Sequence, residues 1–395
     1  MVNLKLNKKI LCFVDFYLPG YKAGGPIRSI ANFVEKLGDE FDIFIICRDH
    51  DLSENRTFEN IKINEWNKVG KANVLYLSKN KINFYEITKI LKETPYDLMY
   101  LNSFFSLRFT LLPLLIYWLK LVPQKLVIIA PRGEFSPGAL KIKFIKKKFY
   151  IFFVKVFGFY NNLNWQVSSN YEKHDLFLNL NKIVKNNVYV APNLTTSINE
   201  NHEKFLKRKK GSLRLIFLSR ISPKKNLDFI LLLLKNMKCS LSLSIYGVKS
   251  DIEYYKYCES LIRDLPSHIS IQFKGYIPNH KVSSVFSDHD LFVFPTKGEN
   301  FGHVVYESLS AGTPVLVSDQ TPWKPDKNGS LKVLKLDYEK WLQVIVDWAK
   351  FDQNKYIESR HNALKYVTNY EKQSSSLKKN KDFFNLIFNK SNIKH

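Results

Sequence analysis

The stretch Leu291–Val317 reads LFVFPTKGENFGHVVYESLSAGTPVLV, and its pattern decides the fold. Leu291–Phe294 is a short apolar run of strand length. The loop Pro295-Thr-Lys-Gly-Glu299-Asn300-Phe301-Gly302 follows and leads into a helical stretch from His303. Ala311-Gly312-Thr-Pro314 ends that helix and starts the next strand, Pro314–Val317. Strand, helix and strand in this order make a parallel pair joined by a crossover.

The same alternation runs outward in both directions. In the first half the expected strands are Ile10–Asp15, Phe41–Ile46, Val74–Leu77, Leu98–Asn102, Lys125–Ala130, Trp165–Ser168 and Val188–Ala191. In the second half they are Arg214–Leu218, Leu241–Tyr246, Ile269–Lys274, Leu291–Phe294 and Pro314–Val317. Buried strands alternating with helices indicate an α/β fold with parallel sheets covered on both faces. Thr195–Ser212 is polar, lacks apolar periodicity and ends in a basic cluster, which is a linker composition. The expected organisation is two doubly wound, Rossmann-like domains facing a cleft. The first spans 1–195, the linker 196–212 and the second 213–370. The tail, 371–395, carries an amphipathic Phe383–Phe388 and is expected to return to the first domain.

The chain has 395 residues, with 60 Lys and Arg against 36 Asp and Glu, a net charge of +24. A hydrophobic fraction of 45% excludes a disordered chain, so the charge must lie outside substantial cores. Such a charge suits an anionic partner: nucleic acid, an anionic membrane face or a phosphorylated substrate. Lysine is also spread along the whole length, as a default surface residue would be. Four cysteines form no CxxC pair, so reduced cytosolic thiols are the simple reading. Asp15 interrupts the first apolar run, which is read as a strand and not a signal peptide. The most apolar window, Phe109–Leu119, is too short to span a bilayer.

Three strand-end loops carry the chemistry. The first, Pro19–Ser29, contains Gly24-Gly25-Pro26 before an apolar-periodic helix. Paired glycines admit close backbone approach, and the free amides at the helix start attract phosphate. A plain strand-to-helix turn explains it equally. The second, SRISPKKN from Ser219 to Asn226, holds Arg220, Lys224 and Lys225 beside a helix start, which suits a diphosphate, although solvated loop charge explains this segment alone equally. The third places Glu299 in the loop and Glu307 about two turns further on, so both can accept hydrogen bonds from hydroxyls. Between them the Phe301 and Gly302 amides offer an anion or hydroxyl site.

These segments together resemble the retaining, nucleotide-sugar-dependent glycosyltransferases of GT-B fold, the large bacterial group 1 (family 4) enzymes. The Glu-x7-Glu signature stands as Glu299–Glu307, the family's Arg and Lys pair as Arg220 and Lys225, and its glycine-rich loop as Gly24-Gly25-Pro26. APRGEFSPGAL and ENFGHVVYESLSAGTPVLVSDQTPW look like the subgroup of surface-polysaccharide clusters. The resemblance implies hexosyl transfer from a UDP- or GDP-sugar to a lipid-linked glycan, with retention of anomeric configuration, in O-antigen, capsule or exopolysaccharide synthesis. It implies that Arg220 and Lys225 bind the donor diphosphate and that Gly25, beside Gly24, supplies backbone contact. Glu299 would hold sugar hydroxyls and polarise the reacting face. Glu307 would hold the ribose, and the Asn300-Phe301-Gly302 segment would meet sugar or phosphate. No metal is required, because Arg and Lys stabilise the leaving diphosphate. Many relatives have a His where this chain has Pro131-Arg132-Gly133-Glu134; Arg132 or Glu134 then replaces it or the role is absent. His303 is a further candidate, as a ligand contact or a helix cap.

Other signals have bland alternatives. Asp49-His50-Asp51 and Asp288-His289-Asp290 resemble a metal-binding DxD, but a solvated loop is the better reading of the first and a small acidic turn of the second. Trp323 lines the site or simply packs. Leu140–Tyr160, LKIKFIKKKFYIFFVKVFGFY, is either an interfacial helix on an anionic inner-membrane surface or a core-facing helix with a solvated lysine face. The expected location is cytoplasmic, peripheral on that membrane face. Competing functions are nonspecific nucleic-acid binding by charge, or a GT-B-like protein without catalysis. No helix-turn-helix, zinc-finger or RNP pattern supports specific nucleic acid as a partner.

Overall fold

The computed structural model describes residues 7–141, 143–184, 187–196 and 211–391. Most of the expected linker, 197–210, lies outside the described residues. The chain packs into two compact units, Met1–Leu194 with Ser375–His395, and Thr195–Ser374.

The first unit runs β1 (Lys8–Phe13), α1 (Gly25–Leu37), β2 (Phe41–Arg48), β3 (Trp66–Val69), β4 (Ala72–Leu77), α2 (Phe84–Glu93) and β5 (Leu98–Leu101). It continues with α3 (Leu112–Trp118), β6 (Leu126–Ile129), α4 (Pro137–Lys141), α5 (Phe144–Phe157), β7 (Asn164–Val167), α6 (Asn170–Val184) and β8 (Val188–Val190). The sheet order is β3-β4-β2-β1-β5-β6-β7-β8, parallel except for β3. Alternate β1 residues serve opposite faces. Leu11 and Phe13 enter one core and Ile10 and Cys12 the other, all fully buried. A strand buried on both faces reads as a continuous apolar run, which is why β1 was legible.

The second unit runs β9 (Ser212–Leu218), α7 (Leu227–Leu234), β10 (Ser240–Tyr246), α8 (Ile252–Arg263), β11 (Ile269–Gly275) and α9 (Val282–Ser287). Then come β12 (Leu291–Phe294), α10 (His303–Ser310), β13 (Val315–Ser318), β14 (Leu331–Leu334), α11 (Tyr338–Ala349) and α12 (Gln353–Ser374). Its sheet is wholly parallel in the order β11-β10-β9-β12-β13-β14. The chain therefore builds outward from β9 in one direction, then restarts at β12 in the other.

Arg360 of α12 is fully buried and donates to the carbonyls of Ser287, His289 and Ala311. It thereby holds the chain ends around β12 and the carboxyl end of α10. The last helix, α13 (Ser376–Ser391), belongs to the first unit. Phe384 packs against Phe33, Phe41 and Tyr100, and Asn380 bonds Gln166 and the Pro192 carbonyl.

Two strands escaped the sequence reading. β3 pairs antiparallel with β4 across a turn at Gly70, which has φ +57°. β14 is a four-residue edge strand. Both are short and half polar, so neither shows the apolar run of a central strand.

Candidate active site

In a doubly wound sheet, ligands bind beyond the carboxyl ends of the strands where the order reverses. In the second unit that point lies between β9 and β12. The loops leaving these strands are 219–226 and 295–302, the two segments singled out from sequence.

These loops are laced together. The Lys297 amide donates to the Lys224 carbonyl at 2.8 Å. The Asn226 side-chain amide donates to the Pro295 carbonyl at 3.0 Å, from a residue held at φ +61°. The Lys225 ammonium donates to Glu299 Oε1, and the Thr296 hydroxyl reaches the same oxygen at 3.0 Å. The Glu299 amide donates to the Gln320 carbonyl at 2.9 Å, fixing the loop to the end of β13 as well.

The pair is nearly dry, with the Lys225 and Glu299 side chains 10% and 15% exposed. Burial pushes the Glu299 carboxyl up. The Lys225 ammonium, helped by Lys224 and Thr296, more than offsets this and leaves it below the usual carboxylate value. Lys225 also lies over the Phe294 ring, 5.3 Å from its centre. Arg220 is half-buried, and its guanidinium has no hydrogen-bond or ion-pair partner among the described residues. One strand-end thus presents a guanidinium unpaired among the described residues, a paired ammonium and an ionised carboxylate.

Phe301 and Gly302 hold the start of α10. Gly302 caps the helix at φ +78°, and a Cβ there would lie 3.4 Å from Trp323 Nε1. Trp323 is buried and donates to the Phe301 carbonyl. Its ring packs on Phe301 and Tyr370, so Trp323 fastens this loop. The His303 ring is buried and meets Phe301 edge-on at 4.8 Å. Asn300 is half-buried in the loop, and Glu307 is half-buried in the second turn of α10.

In the first unit, Gly24 has φ +70° and precedes α1, and nothing lies within 4 Å of a Cβ placed on Gly24 or Gly25. That backbone is open, as a ligand-facing loop requires. Asp51 accepts from the Tyr21 and Lys22 amides at 2.7 and 3.0 Å, so it shapes the glycine loop. Asp290 is likewise bound to Arg214. Both DxD-like segments therefore have structural work.

Arg132, at φ +54°, donates to Asn102, Asn193 and Tyr100. Tyr100 in turn donates to Gln166, so the network runs from the end of β6 to α13. Glu134 accepts from the Ser103 hydroxyl and the Phe104 and Phe105 amides. Burial pushes its carboxyl up to about 7 against those donors and Lys147. Both side chains organise the strand-end loops of the first sheet.

Residues 198–363 match the family model described as glycosyl transferases group 1. The match covers the reversal point, both laced loops and α10. This chain is a glycosyltransferase, with a group 1 domain in its second half. The glycosyltransferase has the two-domain α/β architecture of the GT-B fold. It is similar to the crystal structure of Anabaena HepE in complex with UDP and glucose, at a TM-score of 0.70 and 14% identity, covering 96% of this chain and 99% of that one. It is similar to sucrose-phosphate synthase from Thermosynechococcus elongatus at a TM-score of 0.65 and 14% identity, covering 97% and 99%. Among curated proteins it is 20% identical over 302 residues to an uncharacterized 41.2 kDa protein in the cps region of Klebsiella pneumoniae, covering 75% of this chain and 78% of that one.

Two residues of the site were not marked from sequence. Asn226 has only a weak signal, its place before a helix and after two lysines. Gly247 follows β10, and a Cβ there would fall 1.8 Å from the Ser219 carbonyl oxygen. Its necessity comes from the neighbouring strand and leaves no local trace.

Proposed function

We propose that the glycosyltransferase uses a nucleotide-sugar donor, bound at the β9–β12 reversal, with retention of configuration. The observation that carries this is the Lys225–Glu299 pair, in the same loop as the Arg220 guanidinium, which has no partner among the described residues. Arg220 and Lys225 take the donor diphosphate, Arg as a fork and Lys as a point charge. Glu299, kept ionised, accepts from sugar hydroxyls and favours positive charge developing at the anomeric carbon. Glu307 takes the ribose hydroxyls, and the Phe301 and Gly302 amides meet sugar or phosphate. The leaving diphosphate removes the acceptor proton, and the two cations stabilise it without a metal. Gly24 and Gly25 are the first unit's own candidates, tested separately by Gly25→Val.

The acceptor we infer is a lipid-linked glycan of a surface polysaccharide, in line with the cps-region relative. The test is incubation of the full chain with UDP- and GDP-hexoses, with and without a chelator, reading donor hydrolysis and transfer. Chelator-insensitive turnover of one donor is expected. Neither binding nor turnover of any nucleotide sugar would overturn the reading.

A further inference from the structure

The helix α5 is built inside out for a solvated surface. Its inner stripe is Lys147, Tyr150, Ile151 and Val154, at the spacing of one helical face. Tyr150 bonds the Phe104 carbonyl, and Lys147 bonds the Ala139 carbonyl and lies over the Phe105 ring. The opposite face carries no lysine stripe. It is Ile145, Phe149, Phe152 and Val156, with Phe153 beside them, and each is more than half exposed. The expectation of a core-facing helix with a solvated lysine face therefore fails. The lysines flank the apolar stripe instead, Lys148 and Lys155 on one side and Lys146 on the other.

The apolar surface extends beyond α5. Phe153 stacks on Phe157 at 5.9 Å, Phe157 on Phe159 at 5.6 Å, and Phe159 meets Trp118 edge-on at 5.2 Å. Trp118 and its neighbours Leu119 and Leu121 are themselves exposed at the end of α3. A continuous aromatic strip of this kind is rare on a monomer surface and marks an interaction face. Its charge is one-sided. Between Asp97 and Glu172 the only acid in the chain is Glu134, against ten Lys and Arg. Glu134 is occupied by the Ser103–Phe105 loop.

We propose that α5 and the end of α3 form a docking face for an anionic phospholipid bilayer, with the aromatic strip among the acyl chains and Lys146, Lys148 and Lys155 at the headgroups. The charge pattern selects this occupant. A second copy of the chain would bring two unneutralised lysine borders together, whereas anionic headgroups neutralise them. Exposed aromatic side chains flanked by lysine suit the boundary between headgroup and hydrocarbon, where one part is apolar and the other wet. Among the described residues no helix is long and apolar enough to cross a membrane.

The test is sedimentation of the full chain with vesicles of phosphatidylcholine alone, or of phosphatidylcholine mixed with phosphatidylglycerol. It uses neither donor nor acceptor, so its failure leaves the proposed glycosyl transfer standing. The wild type is expected to bind the mixed vesicles and to be released by salt. Changing Lys146, Lys148 and Lys155 together to Gln should weaken that binding at least tenfold. Changing Phe149, Phe152 and Phe153 to Ser should abolish it. These side chains are exposed, so both variants should keep the wild-type circular dichroism and melting temperature. Equal binding to both vesicle types, no binding by the wild type, or unchanged binding by either folded variant would overturn the proposal. So would a wild-type dimer that the Phe variant dissociates, since a second copy would then own the face.

Discussion

The Lys225 ammonium and the Glu299 carboxylate, 74 residues apart in sequence, meet across the reversal point of the second sheet. Each group removes the main penalty of burying the other. The contact also ties the loop after β9 to the loop after β12, so the proposed donor site and a piece of scaffold coincide.

Breaking the pair from one side should cost more than removing both charges. Lys225→Met leaves a buried carboxylate unpaired and should lose about 3 kcal/mol at neutral pH in urea denaturation. The double variant with Glu299→Gln should lose less than the sum of the single losses. The pH dependence should reverse as well. In the wild type Glu299 is held below its ordinary value of 4.5, so its stabilisation is present above that value and is lost as acid reaches the lower folded value. In Lys225→Met only Lys224 and the Thr296 hydroxyl are left to oppose burial, so the carboxyl rises and stability should fall as pH rises through the acid range. Additive losses would show that the contact carries no coupling.

Lys225→Ala and Glu307→Ala should each lower donor binding or turnover at least tenfold, about 1.4 kcal/mol of lost stabilisation. The measurement is steady-state kinetics on whichever donor the panel identifies. Wild-type rates in both would place the donor elsewhere.

Gly247→Ala should displace the Arg220 loop through its backbone while keeping every charged side chain. The added Cβ would overlap the Ser219 carbonyl at 1.8 Å, on a backbone at φ +144° that side chains rarely adopt. Strain of this kind costs about 1–3 kcal/mol. The chain should melt earlier and bind donor more weakly. Unchanged melting and binding would mean that the β9–β10 contact yields freely.

Glu134→Gln should flatten one part of the stability profile. The folded carboxyl lies near 7, above its ordinary value of 4.5, so the folded chain holds a proton that the unfolded chain releases between these values. Wild-type stability should therefore decline as pH rises from about 4.5 to about 7, and this share of the decline should vanish in the Gln variant. Denaturant midpoints across that range would show it. Identical slopes would mean that the carboxyl titrates at its ordinary value.

The two sheets were legible because their central strands are buried on both faces and appear as uninterrupted apolar runs. The site loops were legible because glycine, proline and charge crowd at strand ends. Pairing was not. Lys225 and Glu299 were assigned to phosphate and sugar separately, because contact across 74 residues leaves no local pattern. Arg132 and Glu134 are candidates only through the resemblance, which puts a His near their place, and their bonds to Tyr100, Asn102 and the Ser103–Phe105 loop exist only once β5 and β6 are paired. Composition could not orient α5 either. Lysine and phenylalanine alternate there without clean amphipathicity, and only the packing of Tyr150 and Val154 shows which way the aromatic side chains face.

Trp323→Phe separates the packing of that ring from its hydrogen bond. Phenylalanine keeps an aromatic body against Phe301 and Tyr370 but cannot donate to the Phe301 carbonyl. Leaving that buried acceptor without its partner should cost about 1–2 kcal/mol in urea denaturation. The Phe301–Gly302 turn is then less firmly held, and donor contacts to its amides should weaken. The expected kinetic result is a donor KM raised severalfold with kcat changed less, because the proposed contact of this turn with donor is the same in ground and transition states. A fall in kcat at constant KM would instead place this turn in the transition state alone. Unchanged kinetics in a destabilised protein would confine Trp323 to packing.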